Sequence, residues 1–284
     1  MRALDRLIAL DRLKSFLEED APFGDITTDI VVEPVESEAE VVSRDSGVIA
    51  GVEESTALLE FCGIEVLEAL EDGSRMEPDD VILCLRGMNS SILKAERTIL
   101  NLMSRMSGIA TMTAEMVRIV HQIDPRVRVA ATRKTAPGLR WLDKKAVALG
   151  GGDTHRITLS DSILIKDNHV AAVGNLQTCI ERAKVSASFV RKVEVEVEDV
   201  EDAVEAAEAG ADIVMLDNFS PSDLKRTVSV LEERGMRRWV TLEASGGVTP
   251  ENIEDIAGSG IDVISMGGLT HSQRSLDIAL RFIS

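Results

Sequence analysis

Residues 192–218 read "KVEVEVEDVEDAVEAAEAGADIVMLDN". Val193, Val195 and Val197 alternate with Glu194, Glu196 and Glu198, the two-residue period of a strand whose valines share one face. Asp199 then precedes Val200–Ala209, an apolar-periodic run closed by Gly210, the pattern of a capped helix. "ADIVMLDN" returns to a short apolar run that ends in Asp217. Strand, helix and strand within so short a span imply a parallel pair, because only a crossover helix lets the second strand run in the direction of the first.

The same rhythm extends outward in both directions. Upstream, "RVRVAATRK" and "SILIKDNH" read as strands, and downstream "WVTLEASGG" and "IDVISMGG" do so. Ser222–Arg234 and Pro250–Ser259 read as helices between the later strands. Repetition of this kind is most simply met by a parallel α/β barrel. Each of the six apolar runs ends on its C-terminal side in chemically capable residues. These are Arg133 with Lys134, Lys166 with His169, Glu196, Asp217, Ser245-Gly246-Gly247, and Gly267-Gly268 with His271. Barrel enzymes assemble their sites at the C-terminal ends of the strands, so six such endings predict an enzyme.

The N-terminal part lacks this rhythm. Residues 3–17 space Leu4, Leu7, Ile8, Leu13, Phe16 and Leu17 as an amphipathic helix, and "EEDAPFGDITTDIV" reads as a turn-rich loop. Residues 38–86 suggest strands at Glu40–Val42, Gly47–Val52 and Val81–Leu85 with a helix over Ser55–Cys62. Residues 91–120 read as helix with a break expected at Ser107-Gly108. The expected division is an N-terminal domain over 1–110 and a catalytic domain over 111–284, with a last helix at about 270–284 that packs back on the first domain.

With 31 Lys and Arg against 49 Asp and Glu, the chain has a formal charge of −18, which argues against a general binder of nucleic acid or of a membrane surface. No run of about 18 apolar residues is present to span a bilayer. The N-terminus is acidic from Asp5 and does not read as a signal peptide, and Cys62, Cys84 and Cys179 lack metal-ligand spacing. Free thiols in a cytoplasmic protein are expected.

Against that acidity, residues 126–169 hold nine Lys and Arg and only four Asp. Lys144 and Lys145 read as a solvated helix face, whereas Arg133, Lys134, Arg156 and Lys166 stand beside strand ends and glycines. Arginine presents a planar fork to carboxylates and lysine a compact charge to phosphate, so the expected substrate carries several anionic groups. His155 follows the glycine run 150–152 and precedes Arg156, a placement that favours function, while His121 reads as a surface residue. No HxH or HExxH spacing predicts a tightly held zinc. Glu196 and Asp217 suit either Mg²⁺ held through waters and phosphate oxygens or the hydroxyls of a sugar. The glycines at 246–247 and 267–268 suit a phosphate after the last two strands.

The motifs "TRKTAPGLRWLDKKAV", "GGGDTHR", "LSDSILIKDNHV", "EVEVED", "MLDNFSP", "LEASGGVTPENI" and "GGLTHS" together resemble the successive signatures of the quinolinate phosphoribosyltransferases. "EDAPFGDITTDIV" and "AERTILNLMSRMSGIAT" resemble that family's N-terminal signatures. The resemblance implies an N-terminal α/β sandwich domain followed by an incomplete, seven-stranded α/β barrel, the type II phosphoribosyltransferase architecture. It also implies a homodimer, or a higher oligomer built from it, with active sites shared between subunits. Quinolinate and phosphoribosyl pyrophosphate would give nicotinate mononucleotide, pyrophosphate and CO₂, with Mg²⁺ as cofactor.

By the same resemblance Arg133, His155, Arg156 and Lys166 grip the quinolinate carboxylates, and Arg97 reaches in from the partner subunit. Thr132 belongs to the same substrate-binding set. Lys134 meets the phosphoribosyl donor, and Glu196 and Asp217 stand near the ribose and Mg²⁺. Ser245, Gly246, Gly247, Gly267, Gly268 and His271 hold the 5′-phosphate. Thr154 and Ala131 depart from the family's frequent Asn and Asp and bear on the surroundings of the site rather than on its charges. Lys166 argues against the related molybdenum-locus protein, since a second carboxylate needs that cation. A Schiff-base aldolase using Lys166, or a non-catalytic anion binder, are the other readings.

Overall fold

The computed structural model describes residues 3–283, with side chains from Leu10 onward. The chain divides into two compact units, residues 1–112 with 273–284, and residues 113–272.

In the first unit, helices α1 (Ala3–Asp20), α2 (Ile26–Val31) and α3 (Val52–Phe61) accompany strands β1 (Glu36–Ser43), β2 (Gly47–Val48), β3 (Glu65–Ala69), β4 (Arg75–Met76) and β5 (Val81–Met88). Leu13 of α1 is buried, while Leu4, Leu7 and Ile8 lie outside the residues whose side chains are described. The loop expected at 18–31 contains α2, because the Asp25 carboxylate accepts the Thr27 and Thr28 N–H groups and caps a helix there.

Helix α4 runs unbroken over Asn89–Ile123, so the break expected at Ser107-Gly108 does not occur. Both residues answer to packing instead. Ser107 Oγ accepts from Ala50 N at 3.0 Å, and a Cβ on Gly108 would strike the Arg274 carbonyl oxygen. The residues are small because another backbone crosses close to the helix there.

The expected C-terminal helix is also corrected. After a short helix at 268–271 the chain ends in a strand, Ile278–Ile283, which pairs antiparallel with β1 from Ser43↔Ile278 to Glu38↔Ile283. That pairing gives a four-stranded sheet with β1 and β5 in its centre, and it places the segment in the first unit rather than in the catalytic one.

The second unit alternates strand and helix: β6 (Arg128–Ala131), α5 (Arg140–Leu149), β7 (Ile163–Ile165), α6 (Asp167–Val173), α7 (Leu176–Ser186), β8 (Val193–Val197), α8 (Val200–Glu208), β9 (Ile213–Asp217), α9 (Pro221–Glu233), β10 (Thr241–Ser245), α10 (Ile253–Ala257), β11 (Val263–Met266) and α11 (Gly268–His271), before the terminal strand β12 (Ile278–Ile283). All six strands read from the sequence form one parallel sheet in the order β6-β11-β10-β9-β8-β7. In place of a seventh strand, Asp153 makes a single parallel bridge beside β6 at Ala130.

Local chemistry sets the crossovers. Asp199 caps α8 through the Asp202 N–H, and Ser220 caps α9 with Pro221 in its first turn. At the opposite ends of the strands, Asp212 accepts from Val193 N at 2.7 Å and Asp262 from Leu242 N at 2.8 Å. Those carboxylates brace the floor of the sheet, so the strand ends above them are held in register.

Candidate active site

The C-terminal strand ends enclose a cavity of about 360 Å³ lined by Thr132, Arg133, Lys134, His155, Arg156, Lys166, Glu196, Asp217, Glu243, Ser245 and Ser265, among others. An adjoining cleft shares Arg133, Arg156 and Lys166 and adds His169 and Arg191. The structure therefore gathers residues from all six strand ends around one space, with cations along β6, the 153–156 segment and β7, and acids along β8 and β9.

Arg133 is half-buried, and its Nε has no hydrogen-bond partner among the described residues. Burial, followed by the neighbouring charges of Arg156 and Arg140, pushes its guanidinium below the ordinary arginine value. A cation so placed is stabilised by any anion that enters. Lys134 is exposed, and its backbone N–H is held by Thr132 Oγ1 at 3.1 Å. Lys166 Nζ pairs with the Glu196 carboxylate, which joins the cationic and acidic sides of the cavity. The Lys166 N–H donates to His169 Nδ1 at 3.0 Å, so His169 serves the first turn of α6.

Of the alternating acids, Glu194 and Glu196 lie on β8, the first buried and the second half-buried, and Glu198 follows the strand and is exposed. Asp217 ends β9 and accepts from Asn218 Nδ2 at 2.8 Å. Gly246 has φ +80°, and a Cβ there would come within 2.6 Å of Asp217 Oδ1. Glycine is required for the turn to approach that carboxylate. His271 is exposed, its Nδ1 lies 2.6 Å from Ser272 Oγ, and its Nε2 lies against Gly267 beside the Lys134 stem. Gly246 and Gly247 follow β10, Gly267 follows β11 and Gly268 begins α11, and these glycines and His271 stand outside the lining of the cavity. Arg97 lies on α4 in the first unit, with its side chain 62% exposed and Glu96 at 3.9 Å.

Sequence reasoning missed Glu243 and the role of Glu194. His155, held at φ +51°, directs Nε2 toward both, 3.2 Å from Glu243 Oε2 and 3.4 Å from Glu194 Oε1. Only the Glu243 contact is a well-aimed hydrogen bond, since Glu194 Oε1 has no such partner. Burial opposes a charge on the ring, but Glu194 and then Glu243 outweigh it and raise the histidine to about 10. Burial also raises Glu194.

The cluster therefore holds an extra proton at neutral pH, shared among coupled groups. The Arg156 N–H donates to Nδ1 at 2.7 Å, so Nδ1 keeps its lone pair and Nε2 carries the ring proton. The donor atoms of His155, Glu194 and Glu243 lie within 4.8 Å of one another, as in a metal site, but a protonated Nε2 is no metal ligand. With both ring nitrogens engaged, His155 shapes the cavity floor and the turn into Arg156. The signal was a lone acid inside an otherwise apolar strand, "TLEAS".

Lys144, expected on a solvated helix face, is instead 2% exposed and donates to the Thr154 carbonyl. The α5 face that carries it turns toward the barrel.

The architecture is shared with known proteins. The family model for the quinolinate phosphoribosyl transferase C-terminal domain matches residues 109–281, and that for its N-terminal domain matches residues 25–107. The chain belongs to the quinolinate phosphoribosyl transferase family. Among similar proteins, a probable nicotinate-nucleotide pyrophosphorylase (carboxylating) of Methanothermobacter thermautotrophicus is 46% identical over 95% of this chain and 98% of its own length. The human nicotinate-nucleotide pyrophosphorylase (carboxylating) is 38% identical over 95% of this chain and 90% of its own. The solved structure of the Francisella tularensis nicotinate-nucleotide pyrophosphorylase superposes with a TM-score of 0.90 at 35% identity, covering 98% of this chain and 97% of that one. Within the family's architecture, the strand-end cations and acids of this chain occupy one cavity.

Proposed function

We propose that the chain catalyses the phosphoribosyl transfer of its family, converting quinolinate and phosphoribosyl pyrophosphate to nicotinate mononucleotide, pyrophosphate and CO₂ for NAD biosynthesis. The observation that carries this reading is the orphan Nε of Arg133 beside Arg156 and Lys166, facing Glu196 and Asp217 across one cavity. Three cations on one side fit a pyridine dicarboxylate, because paired guanidinium and ammonium groups match two carboxylates at fixed separation. The two acids opposite fit a ribose whose anomeric carbon gains positive charge as pyrophosphate departs.

Arg133, Arg156 and Lys166 orient quinolinate so that its ring nitrogen faces that carbon, and such positioning supplies about 7–11 kcal/mol of a barrier in favourable cases. Lys134 offsets charge on the leaving pyrophosphate. Once alkylated, the cationic ring nitrogen stabilises the electron pair left on the adjacent ring carbon when its carboxylate leaves as CO₂, and a proton from water then completes that carbon. Ser245 and the glycine turns at 246–247 and 267–268, with His271, form the 5′-phosphate end. Lys166 is fixed as an ammonium partner of Glu196, an arrangement for a binding cation rather than for a Schiff-base amine.

The donor set of Glu196 and Asp217, two carboxylates on the lining of one cavity, fits Mg²⁺ held through waters. When bound there, Mg²⁺ supplies charge stabilisation to the pyrophosphate oxygens. The exposed apolar side chains of α2, Ile26, Ile30 and Val31, with Phe23 before them, support a homodimer. In that dimer Arg97 enters the partner's site. Three free cysteines support the cytoplasm, and no helix among the described residues is long and apolar enough to cross a membrane.

The test is to incubate the protein with phosphoribosyl pyrophosphate, Mg²⁺ and either quinolinate or nicotinate, and to follow nicotinate mononucleotide by mass spectrometry. Product from quinolinate only is expected. Absence of product from folded protein would overturn the reading. Mixing Arg97→Ala with Lys134→Ala subunits should restore activity, and no recovery would refute a shared site.

A further inference from the structure

The residues that carry His155 and Arg156 are not held as the rest of the rim is. Asp153 donates to Val129 O at 2.8 Å and accepts from Ala131 N at 2.9 Å, after which residues 154–162 belong to no strand. Backbone carbonyls in such a gap need donors from elsewhere. The carbonyls of residues 154, 157 and 160 each find one on a side-chain cation. Lys144 donates to Thr154 O, Arg140 to Ile157 O at 3.3 Å, and Arg191 to Ser160 O. Arg140 and Lys144 are four residues apart on α5 and therefore share a face, so one helix reaches two of these carbonyls, those of Thr154 and Ile157. Arg140 is further steadied by Thr135 Oγ1 at 3.0 Å from its Nε.

We propose that Lys144, with Arg140, acts as a surrogate sheet edge, a positioning pair that holds Thr154–Ile157 so that Arg156 meets the substrate's carboxylates. The proposal rests on the dicarboxylate reading given above.

Lys144 gains little else from its place. Burial, and then the charge of Arg140, lower its pKa to about 8; Asp153 opposes them, while Arg133 and Arg156 add to the fall. A lysine kept in so unfavourable a position is explained by the carbonyl it satisfies.

The experiment compares wild type with Lys144→Met, Lys144→Gln and Arg140→Met. It reads quinolinate affinity by calorimetry, both KM values, kcat, melting temperature and amide exchange at residues 154–157. Losing a hydrogen bond from a charged donor should weaken quinolinate binding about tenfold or more in Lys144→Met, with the phosphoribosyl pyrophosphate KM changed less than about twofold. Lys144→Gln, whose amide still donates, should recover part of that loss. A general structural defect would instead weaken both substrates alike. Equal loss for both substrates, equal loss in the Met and Gln variants, or wild-type quinolinate affinity in folded Lys144→Met would each overturn the proposal.

If Lys144→Met does not fold, Arg140→Met carries the same comparison. A quinolinate-selective loss there supports the strap, and its absence overturns it. Amide exchange does not depend on the substrate: faster exchange at 154–157 in a folded variant supports the strap, and unchanged exchange refutes it. A wild type that neither binds nor converts quinolinate would sink the functional reading while leaving that exchange test standing.

Discussion

The rim of the cavity is carried on two kinds of support. From Glu196 to Ser245 its side chains hang on continuous parallel ladders, with β9 paired to β8 on one side and to β10 on the other as far as Asp217↔Ser245. From Thr154 to Ser162 the chain has no ladder, and three of its carbonyls are taken by Lys144, Arg140 and Arg191. In the proposed reaction the ladder side carries the acids that would face developing positive charge, and the strapped segment carries Arg156 toward a carboxylate, while Arg133 and Lys166 follow the laddered strands β6 and β7. Ladder bonds fix a strand end against a whole sheet, whereas a side-chain strap fixes a few atoms and lets the rest adapt.

The largest expected effects test that division of labour directly. Arg156→Ala and Asp217→Ala should each reduce kcat/KM by about a hundredfold or more, as expected for charges that act in a partly desolvated site. The Arg156 variant should lose mainly through the quinolinate KM and the Asp217 variant mainly through kcat, as steady-state kinetics would show. If the Asp217 variant lost only substrate affinity, the assignment of transition-state stabilisation to the ladder side would be wrong.

A smaller effect is expected from Gly246→Ala, which puts a Cβ against Asp217 Oδ1 and Asn218 at a positive φ. The strain should cost about 1–3 kcal/mol of stability, read by denaturant unfolding, and should lower kcat by displacing Asp217. Hydrogen exchange sharpens the contrast without mutation: amides of Val214–Leu216 should exchange at least about tenfold more slowly than those of residues 157–162. Equal protection would show that the straps hold their segment as firmly as a ladder.

A further effect concerns pH. Lys144 is lowered from the ordinary 10.5 to about 8 by its burial first of all. Folding therefore favours its neutral form. The unfolded chain binds the extra proton between about pH 8 and 10.5, so this residue makes stability rise with pH across that window and leaves it level below. The difference in stability between wild type and Lys144→Met, measured across the window, should carry that slope. A flat difference would mean that Lys144 is not held in the buried site in solution.

Much of the fold was legible because its causes are local. The alternation in Val193–Val197, the apolar runs ending in Asp217 and Ser245, and the cap at Asp199 each announce an element within a few residues. The charged rim was legible for the same reason, since in a parallel barrel the residue after each strand faces the site. Features set by distant chain were not. The helix α4 runs through Ser107-Gly108 because of Ala50 and Arg274. The final residues form a strand because β1 offers an edge to pair with.

The sequence by itself determined the strands of the parallel sheet, the order of the crossovers and the side chains that end each strand. Those follow from periodicity, capping and chain direction, which act over one turn or one strand. Only the tertiary structure decided that Lys144 is buried rather than solvated, that Glu243 and Glu194 lie beneath His155, and that the place of a seventh strand is taken by one bridge and a row of cations. A buried polar group is kept for the partner it meets across the fold. That partner, whether a carbonyl more than one turn away or an acid on another strand, leaves no periodic mark in the chain.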